Sequence, residues 1–358
     1  MNPIESLFRP AVLLEHEYKV TEHICQVKLN QNENPYSFPA ELKSEIEADL
    51  LNAAWNRYPT VFPDHFISQL AGQLGVLPEN LLIGHGSNEL IYSSLWAILG
   101  HGDKILIPEP SFSLYKTVAN LCEALVVPVL SNPETLKMDL AELSIEIHRH
   151  QPKLTILCSP NNPSSQRIPY DDLIALLKMS EGLVWVDEAY IEFSENQSLV
   201  NRLNEFPNLI ILRTFSKAFG LAGLRLGYLV ASAAVMNQLR KTKVPFTVDE
   251  MSTIIASKLL TRMDLVEKNV NLIKSEKARV FGLMKAIKGI HVFESDTNFF
   301  IFKVLKNPVK QVFASLVSEG ILVRDVSSYT NLAGCLRVNI GLPEENDRFL
   351  TAIKTIVS

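Results

Sequence analysis

The chain has 358 residues, of which 47% are hydrophobic and 20% charged, and it contains 15 glycines and 19 prolines. This composition excludes a disordered or fibrous protein, and the length predicts two domains, or one large α/β domain with a smaller companion. The formal net charge of -5 provides no overall positive field that would gather nucleic acid or an anionic membrane. The 4 cysteines form no C-x-x-C pair, so neither a zinc knuckle nor a disulfide framework is predicted.

A membrane span needs a run of about 18 apolar residues, and the sequence has none. Near the N-terminus, Glu5, Arg9 and Glu15 interrupt the apolar stretch that a signal peptide requires. We therefore expect a cytoplasmic protein that binds neither membrane nor nucleic acid. The 8 histidines show no spacing typical of metal ligands, so no metal site is predicted.

Short runs of Ile, Leu and Val alternate with longer amphipathic segments between residues 66 and 250. Strands buried on both faces of a parallel sheet have this composition, and the segments between them are typical of crossover helices. We therefore predict an α/β fold in which a mostly parallel seven-stranded sheet is flanked by helices. The predicted strands are residues 81–83, 104–107, 125–129, 154–157, 183–186, 209–212 and 228–230.

The pattern changes after Pro245, where long helical segments precede shorter strand-like runs, which indicates a smaller α+β domain. We expect the N-terminal residues to complete it, so that residues 49–263 form the large domain and residues 1–48 and 264–358 the small one. The predicted helices are residues 251–260 and 265–287, and the predicted strands are residues 291–293, 298–302 and 336–340.

Three motifs follow predicted strands, and ligands gather at the carboxyl ends of parallel strands. Gly84-His-Gly-Ser-Asn-Glu89 precedes a helical segment, so it suits a phosphate or an ordinary helix start capped by Ser87. Ser159-Pro-Asn-Asn-Pro163 either holds Asn162 as a fixed amide donor or forms a simple turn. The third motif is an apolar strand ending in Asp187, a carboxylate that by itself indicates an ion pair.

A fourth motif runs from Arg213 to Tyr228 and places Lys217 after a strand, among small and apolar residues. Such surroundings lower the pKa of a lysine, particularly beside cations such as Arg213 and Arg225. A lysine that forms a Schiff base needs a lowered pKa, because only its unprotonated amine reacts with a carbonyl. Ser216 and Arg225 also suit a phosphate. We therefore predict that Lys217 is chemically active.

In this order, the four motifs resemble those of the pyridoxal-phosphate-dependent aminotransferases of the aspartate aminotransferase fold, and the resemblance covers nearly the whole chain. It is strongest to the histidinol-phosphate aminotransferases. The blocks that carry it are Leu29-Asn-Gln-Asn-Glu-Asn-Pro35, Arg57-Tyr-Pro59, Pro110-Ser-Phe-Ser-Leu-Tyr115, Val186-Asp-Glu-Ala-Tyr-Ile-Glu-Phe193, residues 213–227 and Leu336-Arg-Val-Asn-Ile-Gly341. The resemblance implies transfer of an amino group between glutamate and imidazole-acetol phosphate, giving histidinol phosphate and 2-oxoglutarate in histidine biosynthesis.

The resemblance also implies roles for single residues. Lys217 would bind pyridoxal phosphate as a Schiff base and carry protons during the reaction, and Asp187 would pair with the pyridine nitrogen. Asn162 and Tyr190 would hydrogen-bond the phenolic oxygen of the cofactor, while Phe112 would stack on its ring.

A phosphate site and a dimer are implied in the same way. The residues that match the phosphate site are Ser87, Asn88, Ser216 and Arg225. Tyr58 matches a tyrosine that reaches this phosphate from the neighbouring subunit, so a homodimer with shared active sites is implied.

The substrates implied are a small amine and a keto acid. Arg337 matches the arginine that binds the carboxylate of glutamate, and Arg324 with Arg337 would hold the phosphate of histidinol phosphate. An ion pair with Glu344 or Glu345 is the alternative for Arg337. The remaining implied substrate residues are Asn34 and Tyr18.

Three positions depart from the pattern of this family. Ser165 stands where the loop after Asn162 usually has glycine, which questions the backbone geometry of that loop. Phe246 and Thr247 replace a tyrosine and an asparagine, which weakens the substrate assignment. Tyr18 stands in for a tyrosine whose usual P-Y context is missing here.

Several alternatives share parts of this pattern. A threonine-phosphate decarboxylase and an aromatic amino acid aminotransferase would use the same cofactor residues, so the motifs leave the amine substrate open. A nicotinamide-dependent oxidoreductase would use Gly84, Gly86 and Asp103 but would leave Lys217 and Asp187 without a role. A binding protein with a vestigial fold is disfavoured, because competent residues fill every matched cofactor position.

Overall fold

A computed structural model describes residues 4–17 and 23–358. In chain order, the strands are β1 (Val27–Lys28), β2 (Leu81–His85), β3 (Lys104–Glu109), β4 (Leu125–Leu130), β5 (Leu154–Cys158), β6 (Leu183–Asp187), β7 (Leu209–Thr214), β8 (Leu226–Ala231), β9 (Ile290–Val292), β10 (Phe299–Val304), β11 (Ile321–Leu322), β12 (Arg324–Asp325) and β13 (Cys335–Asn339).

The α-helices lie between and around these strands. They are α1 (Pro10–Leu14), α2 (Ala40–Asn52), α3 (Asp64–Leu74), α4 (Gly86–Ile98), α5 (Ser113–Leu121), α6 (Leu140–His150), α7 (Tyr170–Met179), α8 (Ala233–Leu239), α9 (Glu250–Leu260), α10 (Met263–Lys285), α11 (Val309–Ser318) and α12 (Pro343–Val357). Within the described ranges, none of these helices has the length and apolar character that crossing a membrane requires.

The large sheet has seven strands in the order β2-β8-β7-β6-β5-β3-β4. Strands β3 to β7 pair in parallel, whereas β8 is antiparallel to both of its neighbours, so β2 runs in the same direction as β7. The prediction of a mostly parallel seven-stranded sheet is confirmed. Each of the seven strands predicted for this sheet lies inside an observed strand, which extends it by one to three residues.

The strands of this sheet are recognisable in the sequence because helices cover both of its faces. Along β6, Trp185 packs with Ile156 into the core on one face, whereas Val186 packs with Ile211 on the other. All four side chains are fully buried. Burial of each such side chain contributes roughly 1.5–3 kcal/mol, so continuous apolar runs are stabilising here.

A second sheet, β12-β13-β10-β9, is antiparallel and packs against α10 and α12. The N-terminal strand β1 pairs with β11, so the beginning of the chain joins its C-terminal part. The predicted boundary at residue 49 falls inside α2, and that at residue 263 coincides with the start of α10. The division into two domains at these positions stays a prediction.

Candidate active site

Three neighbouring parallel strands bring the predicted motifs to one edge of the large sheet. Strand β5 ends at Cys158, just before the loop that carries Asn162, and β6 ends at Asp187. Strand β7 leads into Ser216 and Lys217. Because β2 runs in the same direction, the turn that begins α4 lies at this edge as well.

A cavity of about 430 Å³ opens at this edge between the two sheets. The predicted site residues that line it are Ser87, Asn88, Phe112, Asn162, Asp187, Tyr190, Ser216, Lys217, Arg225, Arg324 and Arg337. The lining does not include Asn34 or Tyr58. Tyr18 lies outside the described residues.

The side chain of Lys217 is half-buried in the wall of this cavity. Its Nζ donates to the backbone carbonyl of Gln31 at 2.8 Å and lies 6.0 Å from the centre of the Tyr190 ring. Burial, followed by the positive charge of Arg337, lowers the pKa of Lys217 to about 7, although Glu33 acts in the opposite direction. A substantial fraction of this amine is therefore unprotonated at neutral pH, unlike that of an ordinary lysine.

Asp187 is 9% exposed and is held by uncharged partners. Its Oδ2 accepts a hydrogen bond from the Tyr115 hydroxyl at 2.7 Å, and its Oδ1 accepts one from the N–H of Ala189 at 2.9 Å. The Nε1–H of Trp185 donates to the Tyr115 oxygen at 3.2 Å, which orients that hydroxyl toward the carboxylate. Burial raises the pKa of Asp187, and the two hydrogen bonds partly oppose this rise. The carboxylate can therefore take a cationic group from the cavity.

The hydroxyl of Tyr190 accepts a hydrogen bond from the amide Nδ2 of Asn32 at 2.9 Å. The Tyr190 ring packs edge-on against Phe299, with the ring centres 5.3 Å apart. Burial raises the pKa of Tyr190 to about 12, with Arg337 and the Asn32 hydrogen bond opposing. The phenol therefore keeps its proton and can donate it to an oxygen in the cavity.

Two acceptors among the described residues hold the guanidinium of Arg337, on β13, in the cavity wall. Its Nη1 donates to Oδ1 of Asn162 at 2.6 Å, and its Nη2 donates to the carbonyl of Asn30 at 2.7 Å. Glu345, an alternative partner considered from the sequence, instead accepts the N–H of Leu342 at 2.8 Å at the start of α12. The geometry thus turns Arg337 toward the cavity.

A second arginine, Arg324, lies opposite Arg337 in the ladder between β12 and β13. Both arginines line the cavity, together with Tyr329 from the loop between these strands. Two adjacent guanidinium groups suit an anion with several oxygens, such as a carboxylate or a phosphate.

The turn that begins α4 forms an anion site. Ser87 and Asn88 lie in its first turn, where backbone N–H groups are free of helical partners. Gly86 has a φ of +73°, and a Cβ at this position would stand 2.6 Å from Nη2 of Arg225. The Nη1 of Arg225 is 3.4 Å from the hydroxyl oxygen of Ser216. N–H groups, hydroxyls and a guanidinium thus converge where a phosphate can be held.

Two predicted residues lie outside the cavity lining. The amide of Asn34 donates to the carbonyl of Ala218 at 3.0 Å, so it supports the segment that carries Lys217. Tyr58 is 84% exposed, and its ring packs against Phe246 with the ring centres 5.1 Å apart.

Ser165 adopts the left-handed backbone conformation, with a φ of +63°. This conformation usually favours glycine, the residue expected there. The Ser165 hydroxyl can donate its single proton to either of two backbone carbonyls, that of Ser164 at 2.6 Å or that of Glu294 at 3.1 Å. The loop therefore keeps its turn despite the departure, and the Ser165 side chain can contact the segment that carries Glu294.

Several residues of the site were not assigned a role from the sequence. Asn30, Gln31 and Asn32 hold Arg337, Lys217 and Tyr190, respectively, and Tyr115 holds Asp187. All four lie inside blocks that carry the family resemblance. Tyr115 follows Phe112 by three residues, about one helical turn, and this spacing is the signal that could have indicated it.

The comparison with known proteins begins with the family. The model of class I and II aminotransferases matches residues 25–353. The chain belongs to the class I and II aminotransferases. The histidinol-phosphate aminotransferase of Chlorobaculum tepidum is 40% identical to it over 351 residues, which cover 98% of this chain and 100% of that protein. The histidinol-phosphate aminotransferase of Prosthecochloris aestuarii is 40% identical over 345 residues, 96% of each chain.

Solved structures show that this aminotransferase shares its fold with enzymes of more than one activity. The histidinol-phosphate aminotransferase of Sinorhizobium meliloti, in complex with pyridoxal-5'-phosphate, has a TM-score of 0.88 at 22% identity, and the match covers 98% of both chains. The L-threonine-O-3-phosphate decarboxylase of Porphyromonas gingivalis has a TM-score of 0.79 at 20% identity, covering 92% of this chain and 98% of that one. The predicted fold class is confirmed.

Proposed function

We propose that this aminotransferase uses pyridoxal phosphate to move an amino group between L-glutamate and imidazole-acetol phosphate, as part of histidine biosynthesis. One observation carries the proposal: Lys217, Asp187 and the arginine pair Arg324 and Arg337 face a single cavity. The two relatives named above, both 40% identical, support the choice of substrate. A cytoplasmic location is part of the same proposal.

The residues of the cavity fit this cofactor. Among the described residues, the Asp187 carboxylate has only uncharged hydrogen-bond partners, so it can hold a protonated pyridine nitrogen, and the anion site at α4 can hold a phosphate. Phe112 and Tyr190 supply the ring contact and the hydrogen bond. When bound, pyridoxal phosphate supplies a carbonyl that combines with amines and a ring that accepts electrons.

Different residues of the chain then carry out proton transfer and substrate binding. Lys217 Nζ would hold the cofactor through its carbonyl carbon and, once the substrate amine has replaced it there, would accept the proton from the α-carbon of the substrate and deliver it to that carbonyl carbon. Asp187 would keep the proton on the pyridine nitrogen. The forked Arg337 guanidinium pairs with the substrate carboxylate or phosphate, and its hydrogen bonds to Asn162 and Asn30 fix the plane of that fork.

The substrate is tested by a half-reaction. Stoichiometric histidinol phosphate, added to the loaded enzyme without keto acid, should release one equivalent of imidazole-acetol phosphate per site and abolish the visible absorption of the lysine-bound cofactor. Phosphothreonine and phenylalanine are the matched alternatives. Release of carbon dioxide from phosphothreonine, or faster reaction with phenylalanine than with histidinol phosphate, would contradict the proposed substrate.

The pKa of Lys217 predicts a pH dependence. Only the unprotonated amine attacks a carbonyl, so the cofactor-free chain should combine with pyridoxal phosphate at a rate that rises with pH, with a midpoint at about 7. An ordinary lysine would give a midpoint of about 10.4. Arg337→Met removes a positive charge and should move the midpoint to higher pH, whereas the exposed Arg348→Met should not. Stopped-flow absorbance measures these rates, and a midpoint unchanged by Arg337→Met would contradict the assigned cause.

We further propose a homodimer in which Tyr58 reaches the cofactor phosphate of the partner subunit. Tyr58 is exposed and does not line the cavity of its own chain. It lies on an open groove between α3 and α9 that Phe62 also lines. Trp55 and Trp96 are 70% and 72% exposed, and large exposed aromatic side chains are typical of interfaces.

Shared sites predict complementation between two inactive chains. A Tyr58→Ala chain and a Lys217→Ala chain should each have little activity, but a hybrid dimer has one site in which both residues are intact. Mixing the two after mild dissociation should restore about a quarter of the wild-type activity, the statistical share for two sites per dimer. Light scattering gives the oligomeric state. A stable monomer would contradict the proposal, as would hybrid dimers that remain inactive.

A further inference from the structure

A buried lysine lies beside the anion site but does not line the cavity. Lys243 follows α8 and is 8% exposed. Its Nζ donates to Oγ1 of Thr247 at 2.9 Å and to the carbonyl of Val244 at 3.0 Å. The same Nζ stands 4.0 Å from Oε1 of Glu89. Lys243 thus faces a carboxylate in the first turn of α4.

Glu89 is held tightly on the turn that carries the anion site. Its Oε2 accepts the N–H of His85 at 2.6 Å and the hydroxyl of Thr247 at 3.0 Å. Its Oε1 is buried and has no hydrogen-bond partner among the described residues. A Cβ at Gly84 would come within 2.8 Å of Oε2, so the carboxylate packs closely against the backbone of Gly84. Glu89 directly follows Ser87 and Asn88, whose turn is the proposed phosphate site.

We propose that Lys243 is a positioning residue that neutralises Glu89, so that the first turn of α4 can accept a doubly charged phosphate. The inference rests on the proposed cofactor. An unpaired carboxylate in this turn would repel the phosphate in surroundings that screen charge poorly. Thr247, which stands where the family resemblance expects asparagine, joins the two charges because its hydroxyl accepts from Lys243 and donates to Glu89.

The dependence of ligand binding on the phosphate charge distinguishes this role of Lys243 from a purely structural one. Repulsion by Glu89 acts on the phosphate of the cofactor, whereas a loosened fold would weaken every ligand of the cavity. Pyridoxal, which lacks the phosphate, is therefore the matched ligand for pyridoxal phosphate. Lys241 is the matched residue, because it is an exposed lysine two positions earlier that bonds to Gln238.

The experiment measures dissociation constants of pyridoxal phosphate and of pyridoxal by tryptophan fluorescence, with the full chain freed of cofactor by dialysis. Lys243→Met should raise the dissociation constant of pyridoxal phosphate by about tenfold or more and that of pyridoxal by less than about twofold. Lys241→Met should change neither constant. In the double variant Lys243→Met with Glu89→Gln, the dissociation constant of pyridoxal phosphate should return to within about threefold of the wild-type value, because the repelling charge is gone.

Equal losses for both ligands, or no rescue in the double variant, would overturn the inference. If Lys243→Met does not fold, Glu89→Gln alone decides, since the amide can keep both hydrogen bonds of Glu89. It should bind pyridoxal phosphate at least as tightly as wild type, and weaker binding would overturn the inference. Failure of the unsubstituted chain to bind either ligand would instead overturn the proposed cofactor.

Discussion

Replacing Lys217 with alanine should lower the rate of amino transfer by about 10⁴-fold or more, because one side chain supplies both the covalent attachment and the proton carrier. The expected loss is in kcat. The fold should remain, since the only hydrogen bond of Nζ recorded among the described residues is the one to Gln31. Initial rates with histidinol phosphate and 2-oxoglutarate, together with the visible spectrum, measure the effect.

Lys241→Ala is the matched control for Lys217→Ala, because it removes an exposed lysine from the same chain without touching the cavity. It should keep full activity and the visible absorption of the wild-type enzyme. Turnover by Lys217→Ala above about one per cent of wild type would show that another group carries the proton, and would remove the basis of the proposed mechanism.

Asp187→Asn should lower kcat by about 10³-fold, because the neutral amide cannot hold a proton on the pyridine nitrogen. The substitution is nearly isosteric, and its amide oxygen can still accept a hydrogen bond from Ala189 or Tyr115. We therefore expect the thermal unfolding midpoint to change little. Steady-state kinetics and a thermal melt on the same preparation separate loss of chemistry from loss of fold.

Tyr115→Phe provides a graded control for Asp187→Asn. It removes one hydrogen bond that lowers the pKa of Asp187 and leaves the carboxylate itself. The pKa of Asp187 should rise, and kcat should fall by about tenfold, well short of the Asp187→Asn loss. A larger loss in Tyr115→Phe than in Asp187→Asn would mean that the hydroxyl, rather than the carboxylate, performs the chemistry.

The large sheet was predictable because its strands are buried on both faces. Continuous apolar runs such as residues 183–186 indicate strands of a parallel sheet, since no solvent-facing polar positions interrupt them. The short strands outside the large sheet were harder to predict. Strand β1 has two residues, and its pairing with β11 joins positions almost 300 residues apart, which no local pattern encodes.

Most residues of the cavity were predictable from the sequence because they lie at the ends of predicted strands. Asn162, Asp187 and Lys217 each follow a recognisable strand, so their convergence follows from parallel pairing. Partners that come from residues 30–32, in the segment after β1, were not assigned. The hydrogen bond of Asn32 to Tyr190 depends on how this segment packs against the large sheet, and a single sequence carries no signal of that packing.

The hydrogen bonds that span the cleft have a consequence for the order of folding. Arg337 meets Asn162 across 175 residues of sequence, and Lys217 meets Gln31 across 186. Contacts between such distant positions form late, because the entropy of closing long loops must first be offset by the cores on either side. During refolding, regain of secondary structure should therefore precede the fall in the pKa of Lys217, and the nascent chain gains its reactive amine only after its C-terminal strands have docked.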